Sequence, residues 1–313
     1  MRLALLSGGV GGARFAGALL HVVRPADLTA IVNVGDDLEV LGLHVSPDLD
    51  TVLYTLAGLS DEERGWGRAG ETWNALESVV ELGGEAWFRL GDRDIGLHLV
   101  RAEALGRGEP LSSVTASLAR ALRLETTLLP ATDEPLRTWV LTPAGSFPFQ
   151  EWFVARGHRD EVDGVRFEGS AGAAPAPGVL EALGEADLIL IAPSNPYVSI
   201  APILAVEAIR AALEDRRVPA VAVSPLIGGK AVKGPAARML DRLAGGTRAA
   251  HVASVYQGLI DALVIDEADA AEADALDELG VLPIVAGSTL MSDAAASRRL
   301  ARTVLEATTL LAR

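Results

Sequence analysis

Four aspartates, Asp36, Asp37, Asp48 and Asp50, fall within fifteen positions of "NVGDDLEVLGLHVSPDLDT" (Asn33–Thr51). Carboxylates in this pattern have three uses. They can cap helix N-termini. They can hold Mg²⁺, which takes oxygen ligands and commonly uses one or two carboxylates plus substrate phosphates. They can accept a hydroxyl proton as a general base. From the residues alone the three uses stay open: Asp36 and Asp37 could simply cap the segment that follows and Asp48 the helix beginning near Asp50, or these carboxylates could serve a metal or take a proton. Just upstream, "SGGVGGARF" (Ser7–Phe15) is a glycine turn opening a helix. Amides at a helix N-terminus favour an anion, and Gly9, Gly11 and Gly12 would let one approach closely. The turn fits neither G-x-G-x-x-G nor the P-loop pattern, because Arg14 stands where each needs another residue. A tight strand–helix turn without a ligand would use the same residues.

The lysine of a phosphate loop is found elsewhere. Of 27 basic residues only Lys230 and Lys233 are lysine, and both lie in "SPLIGGKAVKGP" with Gly228 and Gly229. A helix can start near Pro235, since proline suits the first helical turn. A pyrophosphate is the natural partner for such a loop. "PSNP" confines the backbone at Pro193 and Pro196 and presents Ser194 and Asn195, for a base, a ribose, a phosphate or simply a capped turn. "WFRLGDRDIGLH" (Trp87–His98) carries Arg89, Asp92, Arg93 and Asp94, and on composition reads as a charged turn between helices. The five histidines are scattered without HExxH spacing, so no zinc site is expected. No G-x-S-x-G elbow points to a serine hydrolase.

The elements that must position these loops alternate. "RLALL", "LTAIVNV", "ADLILIAP", "VPAVAVSP", "ALVID" and "LPIVAG" are continuous apolar runs. Helical spacing separates them, as in "ARFAGALLHVV" and "APILAVEAIRAALEDR". Continuous apolar strands alternating with helices indicate a parallel sheet covered on both faces. The expected fold is α/β, Rossmann-like and doubly wound, with the core in residues 1–50 and 175–313. Residues 51–174 are expected to form an inserted smaller α+β subdomain, helical to about Leu124 and then with short strands at "RTWVL", "FPFQEWFVA" and "VRFEG". In a parallel sheet the loops after the strands share one edge, where ligands bind. That edge would collect the glycine turn, "NVGDD", "PSNP", the lysine loop and "STLMSD".

A formal charge of −15 and a pI of about 4.8 argue against nucleic acid or an anionic membrane as partner. The absence of cysteine excludes disulfides, thiolate metal sites and a cysteine nucleophile. The opening apolar run is too short for a signal peptide or a membrane helix, so a cytoplasmic protein is expected. Aromatic residues make up only 4% of the chain, so a planar ligand would be expected to rest on aliphatic side chains.

Taken together, "SGGVGGARF", "NVGDD", "GLHVSPDLDTVLYTLAG", "GWG", "ETW", "WFRLGDRD", "FQEW", "APSNPYVSI", "VSPLIGGKAVKGPA" and "TLMSD" resemble the 2-phospho-L-lactate transferases of coenzyme F-420 biosynthesis. The resemblance runs over essentially the whole chain in motif order. It implies transfer of a phospholactyl or phosphoenolpyruvyl group from a guanosine diphosphate ester to the hydroxyl of the deazaflavin Fo, releasing GMP, with Mg²⁺ and as a homodimer. Actinobacterial-type relatives, which the chain resembles most, point to the enolpyruvyl donor. The resemblance puts Fo against Asp50, Arg89 and the aspartates of "GDRD" (Asp92, Asp94). It puts the metal on Asp36, Asp37 and Asp50, and the guanosine diphosphate on the glycine turn, Ser194, Asn195 and the lysine loop. On this basis Asp50→Asn is expected to abolish GMP release and leave the fold intact. The alternative is a non-catalytic, nucleotide-sugar-binding regulator of the related cell-wall and gluconeogenesis-factor group, which would not be expected to combine "DLDT" with "GDRD". A nicotinamide dehydrogenase is disfavoured by the failed glycine fingerprint.

Overall fold

The apolar runs become strands because only a sheet covered on both faces buries every residue of such a run. The computed structural model describes residues 1–311. Among these residues, seven strands form one parallel sheet: β1 (Leu3–Ser7), β2 (Leu28–Val32), β3 (Thr127–Pro130), β4 (Leu188–Ile191), β5 (Ala220–Val223), β6 (Ala262–Asp266) and β7 (Leu282–Ala286). Their spatial order is β7-β6-β5-β4-β1-β2-β3, every pair parallel. The fold is Rossmann-like. The chain winds outward from β1 to β3, then returns to lay β4 on the other side of β1, so the strand order reverses between β1 and β4. A crevice opens at the carboxyl ends of strands at such a point.

Alternate residues of each strand feed two cores. Leu3, Leu5, Leu188, Leu190, Val221 and Val223 face α1 (Gly9–Leu19) and the C-terminal helix Ala294–Leu311, meeting Phe15, Leu19, Leu300 and Val304. Ala4, Leu6, Ile189, Ile191, Ala220 and Ala222 face the other way. They share a core with Leu49 and Leu53 of α2 (Pro47–Leu56), and with Leu97 and Val114 further along the chain. Burying a leucine or valine side chain contributes about 1.5–3 kcal/mol, so this double layer is the scaffold on which the strand-end loops are held.

The expected boundaries of the insertion need correction. Residues 51–174 are not one subdomain, because β3 lies within them and pairs with β2 in register Thr29↔Thr127. Helices α4 (Asp92–Gly106) and α5 (Leu111–Ala121), with α3 (Asn74–Glu81) preceding them, lie in the connection from β2 to β3. Leu97, Ala104, Leu111, Val114 and Leu118 belong to the main core. Only the α3 region and a second excursion after β3 stand outside the sheet. The latter carries an antiparallel sheet of Gly145–Pro148, Arg137–Thr142 and Gly164–Glu168, with its own core of Val140, Trp152, Val162, Val198 and Met239. "FPFQEWFVA" is strand only to Pro148, and Glu151–Ala155 then coils as a π-helical turn. The turn stacks Phe149 on Phe153, four residues on, at 5.3 Å between ring centres. "APILAVEAIRAALEDR" is likewise two helices, bent by 90° between Leu204 and Glu207, where buried Val206 adopts an extended conformation. Among the described residues no single helix is long and apolar enough to cross a membrane.

At the reversal point the glycines are required for space. A Cβ on Gly11 would lie 2.5 Å from the Pro193 carbonyl oxygen, and one on Gly12 2.5 Å from Ser7 Oγ and 2.7 Å from Ser194 Oγ. The turn after β1 is therefore pressed against the loop after β4. Gly11→Ala is expected to lower unfolding free energy by about 1–3 kcal/mol, the usual penalty of overpacking, read from the denaturant midpoint. An unchanged midpoint would contradict this packing.

Candidate active site

Five loops meet at one cleft of about 780 Å³, within the ~300–1,000 Å³ usual for small-molecule sites. Gly8, Gly9 and Gly11 come from the turn after β1, and Asp36 from the loop after β2. Pro193, Ser194 and Asn195 follow β4, Ser224 to Ala236 contribute after β5, and Thr289 to Met291 follow β7. Strand-end loops separated by up to 280 residues thus converge because the strands are parallel. α2 adds Asp50, Thr51 and Tyr54, and the two excursions close the far side.

The carboxylates occupy distinct positions. Asp48 does not cap its own helix. It sits inside the first turn of α2 and accepts the Gly9 N–H at 2.7 Å, with its other oxygen accepting Asn33 Nδ2 at 2.9 Å. It is therefore an anion placed at the N-terminus of α1. The same Asn33 Nδ2 lies 3.3 Å from Asp36 Oδ1, and Asp36 Oδ2 accepts Gln150 Nε2 at 2.8 Å. Burial, with the neighbouring Asp48 and Asp37 charges, pushes the Asp36 carboxyl well above the usual range. Burial also raises Asp48 to about 6, against the pull of its Asn33 and Gly9 hydrogen bonds. Asp37 turns away from the main cleft, toward Ser46 Oγ (2.8 Å) and His44 Nε2 (3.0 Å), and borders a separate cavity of about 290 Å³.

Asp50 is buried and lines the cleft, and its partner was not visible in the motifs. Arg101 of α4, 1% exposed, donates from Nη1 to Asp50 Oδ2 at 3.0 Å and from Nη2 to Asp50 Oδ1. Burial alone would depress the guanidinium pKa, but the Asp50 carboxylate outweighs it and raises it. Asp94, His98 and Arg101 share one face of α4, four and three residues apart. His98 Nε2 lies 3.3 Å from Asp94 Oδ1, and Tyr54 donates its hydroxyl to the same oxygen at 2.6 Å. Asp94 is held below the usual carboxylate range: burial pushes it up, but His98, Tyr54 and Arg101 together outweigh that. The i, i+4, i+7 polar spacing in "DIGLHLVR" was the available signal for this seam.

The cleft lining is also aromatic and cationic. Trp66, Trp87, Phe88, Phe149, Phe153 and Tyr54 line the cleft, in a chain with five tryptophans, six phenylalanines and three tyrosines. The expectation of an aliphatic surface for a planar ligand is therefore corrected: the few aromatics are concentrated here. The Arg89 guanidinium lies 4.3 Å from the Trp73 ring centre and that of Arg64 5.1 Å from it, so both cations are held on one indole. Asp92 does not reach the cleft. It caps the α3 end of the excursion, accepting Thr72 Oγ1 at 2.5 Å and the Ala75 N–H at 3.0 Å, contacts that hold its carboxyl down at about 2.

The lysine loop divides. Lys233 lines the cleft, with its Nζ where a Cβ on Gly65 would fall; Gly65 and Gly67, at φ +77° and +69°, turn the chain on either side of Trp66. Lys230 is exposed on a two-strand hairpin (Leu226–Ile227 with Lys230–Ala231) and is not among the cleft residues. The Gly228 and Gly229 N–H groups, read as phosphate donors, give their hydrogen bonds to Asp269 at 3.0 and 3.2 Å. Ser194 donates to the Gly8 carbonyl at 2.6 Å, which ties the two loops together, and the Asn195 side chain accepts the Tyr197 N–H at 3.0 Å. Gly12 lies beneath the turn, outside the cleft lining. Arg14, noted in the sequence only for spoiling two fingerprints, is a cleft residue.

The donor set fits a magnesium ion held in part by substrate. Two buried carboxylates raised by burial, with the Asp37 charge beside both, are relieved by a cation, and Asp37 Oδ1 is buried without a partner. Among the described residues no three His, Asp or Glu side chains are placed to form a cage by themselves. Both Asp50 oxygens face Arg101, so Asp36 and Asp48, joined through Asn33, are the better-placed pair.

The model of the family described as 2-phospho-L-lactate transferase CofD matches residues 3–309. The chain is 42% identical over 312 residues to a phosphoenolpyruvate transferase of Streptomyces griseus, covering 98% of each, and 43% identical over 311 residues to that of Streptomyces coelicolor, covering 97% of each. Among solved structures it is similar to a upf0052-family protein of Bacillus halodurans, with a TM-score of 0.66 at 18% identity over 97% of this chain and 98% of the other, a likeness of fold.

Two outcomes follow from the carboxylates. A group raised from 3.8 to about 6 stabilises the fold fully below about pH 4 and loses that contribution as pH rises through 6. Metal-free protein is expected to lose on the order of 3 kcal/mol over this window through Asp48, and Mg²⁺ to restore stability above it; denaturant midpoints from pH 4 to 7, with and without Mg²⁺, measure both. Asp94 acts oppositely but at lower pH, since its carboxyl is held down. Second, Asp50→Asn does not leave the fold untouched as the motif alone implied. It weakens the pairing of a buried guanidinium, and unfolding free energy is expected to fall by about 3–5 kcal/mol, readable by thermal or chemical denaturation.

Proposed function

The chain belongs to the 2-phospho-L-lactate transferase CofD family, and from that membership we propose that it moves a phosphoenolpyruvyl group from a guanosine diphosphate ester to the hydroxyl of the deazaflavin Fo, releasing GMP in coenzyme F-420 biosynthesis. It is a transferase of the phosphoenolpyruvate/phospholactate type. The phosphoenolpyruvate transferases at 42–43% identity favour the enolpyruvyl over the lactyl donor. One observation supports the reading most: a single cleft is lined by the α1 N-terminus, the β4 loop, buried carboxylates and a set of aromatic and cationic side chains. Transfer between two bound molecules needs such a shared cleft, because most of its rate comes from holding nucleophile and phosphorus in line.

In this reading the acceptor ring lies along Trp66, Trp87 and Phe88, beside Arg89. The guanosine diphosphate lies toward the glycine turn and Asn195, with Arg14 and Lys233 offsetting its charge. The acceptor hydroxyl oxygen forms a bond to the phosphorus carrying the acid, and the bond from that phosphorus to the bridging oxygen breaks, so that GMP leaves with this oxygen. Asp50, held in place by the Arg101 fork, accepts the hydroxyl's hydrogen bond and aims its lone pair; the proton passes on to solvent. Mg²⁺ held by Asp36 and Asp48 would supply positive charge where the departing GMP oxygen becomes negative. The aromatic wall and the two excursions keep bulk water from competing with the acceptor.

Incubation with Fo, Mg²⁺ and each guanosine diphosphate ester, followed by mass spectrometry of the deazaflavin, tests the reading. The expected product is Fo carrying a phosphoenolpyruvyl group, with stoichiometric GMP. No product from either ester, together with calorimetric binding of a UDP-sugar, would replace the transferase with a nucleotide-sugar regulator.

A further inference from the structure

We infer that Arg101 is a positioning residue for the transfer, fixing Asp50 in the cleft; the inference rests on the transferase reading above. Side chains of α2 and α4 meet in a polar seam: Asp50 and Tyr54 from one helix, Asp94, His98 and Arg101 from the other. Arg101 and His98 are each 1% exposed. An arginine is almost never buried to that degree unless paired, and a hydrophobic residue of similar volume would often hold two helices together as well or better. The seam is thus an expensive way to pack α4 on α2, and its geometry is that of an aiming device. Two Nη groups donate to the two oxygens of one carboxylate, the fork that fixes a carboxylate in plane as well as in place.

The hydrogen-bond directions set the histidine. Arg101 Nη1 can only donate, and it lies 3.3 Å from His98 Nδ1. Nδ1 therefore accepts, while Nε2, 3.3 Å from Asp94 Oδ1, makes no hydrogen bond. Tyr54 donates to that Asp94 oxygen. The guanidinium has both its Nη donors on Asp50, and without it Asp50 would be free to turn within the cleft. A displacement of about 1 Å at a group that aligns a nucleophile costs roughly 100-fold in rate.

The test compares the unsubstituted enzyme with Arg101→Met, Arg101→Lys and the double variant Asp50→Asn/Arg101→Met in the Fo transfer assay, with thermal unfolding measured on each. In Arg101→Met, kcat is expected to fall about 100-fold while KM for the guanosine diphosphate ester stays within about threefold, because Arg101 acts through Asp50 and does not itself line the cleft. Arg101→Lys keeps the charge but not the fork, so it is expected to keep a near-native melting temperature and still lose about tenfold or more in kcat. It carries the test if the methionine variant fails to fold. The double variant is expected to be no slower than Asp50→Asn alone, since residues acting as one unit are not additive. If Arg101→Lys folds and turns over within threefold of the unsubstituted enzyme, or if the double variant multiplies the two single losses, Arg101 serves the packing alone and the inference is overturned. Absence of transfer by the unsubstituted enzyme would instead bring down the functional reading, and this inference with it.

Discussion

The first amide of α1 is bound to the Asp48 carboxylate, and the rest of the site is arranged around that contact. It holds the N-terminus of one core helix against the first turn of another, while Ser194 ties the preceding carbonyl to the loop after β4. Three segments far apart in sequence are thus pinned where the strand order reverses. A helix N-terminus attracts anions, and here the chain supplies the first one itself. Any phosphate approaching the turn meets a fixed negative charge beside the favourable amides. The two are compatible when a cation sits between them, which is the condition the raised Asp36 and Asp48 carboxyls describe independently.

The same arrangement reconciles a net charge of −15 with a cleft that presents cations to an anionic ligand. Average charge governs long-range behaviour, whereas binding depends on the groups that face the cleft. Arg14, Arg64, Arg89 and Lys233 all reach it, from α1, from both sides of Trp73 and from the loop after β5. The aromatic residues behave likewise. A 4% content says little when six of the side chains line one cleft. Composition gives a mean, and a site is a departure from the mean.

What was legible in the sequence follows the range of the forces involved. Apolar runs and helical spacing are local, so the strands of the core and the meeting of their loops could be read from "LALLS", "LILI" and "AVAV" with nothing else. β3 was hidden inside the supposed insertion because "TLLP" is short, and its membership depends on an edge offered by β2. By sequence Asp48 reads as a cap of its own helix, because the amide it binds belongs to Gly9, 39 residues earlier. Gly228 and Gly229 read as phosphate donors, because Asp269, which takes their N–H groups, lies about forty residues on in a segment without a motif. In each case the fold changes the partner and not the type of interaction. Residue types announce which bonds must be made, and the fold decides with whom.

Arg101 shows the limit of motif reading most clearly, and why the limit is physical. It stands in "GLHLVRAEALG", an ordinary amphipathic segment in which an arginine would normally be placed on the solvent face. Its burial becomes intelligible only beside Asp50, whose own isolation in the core would be equally costly. Neither charge is tolerable alone, and each makes the other's position obligatory. Asp50 is then less a free carboxylate available to a metal than one half of an internal ion pair whose outer edge meets the cleft. A base needs an oxygen free to take up a proton, and the guanidinium already donates to both oxygens of Asp50. The pairing therefore argues for Asp50 as a fixed acceptor that orients a hydroxyl, and leaves final uptake of the proton to water at the cleft mouth.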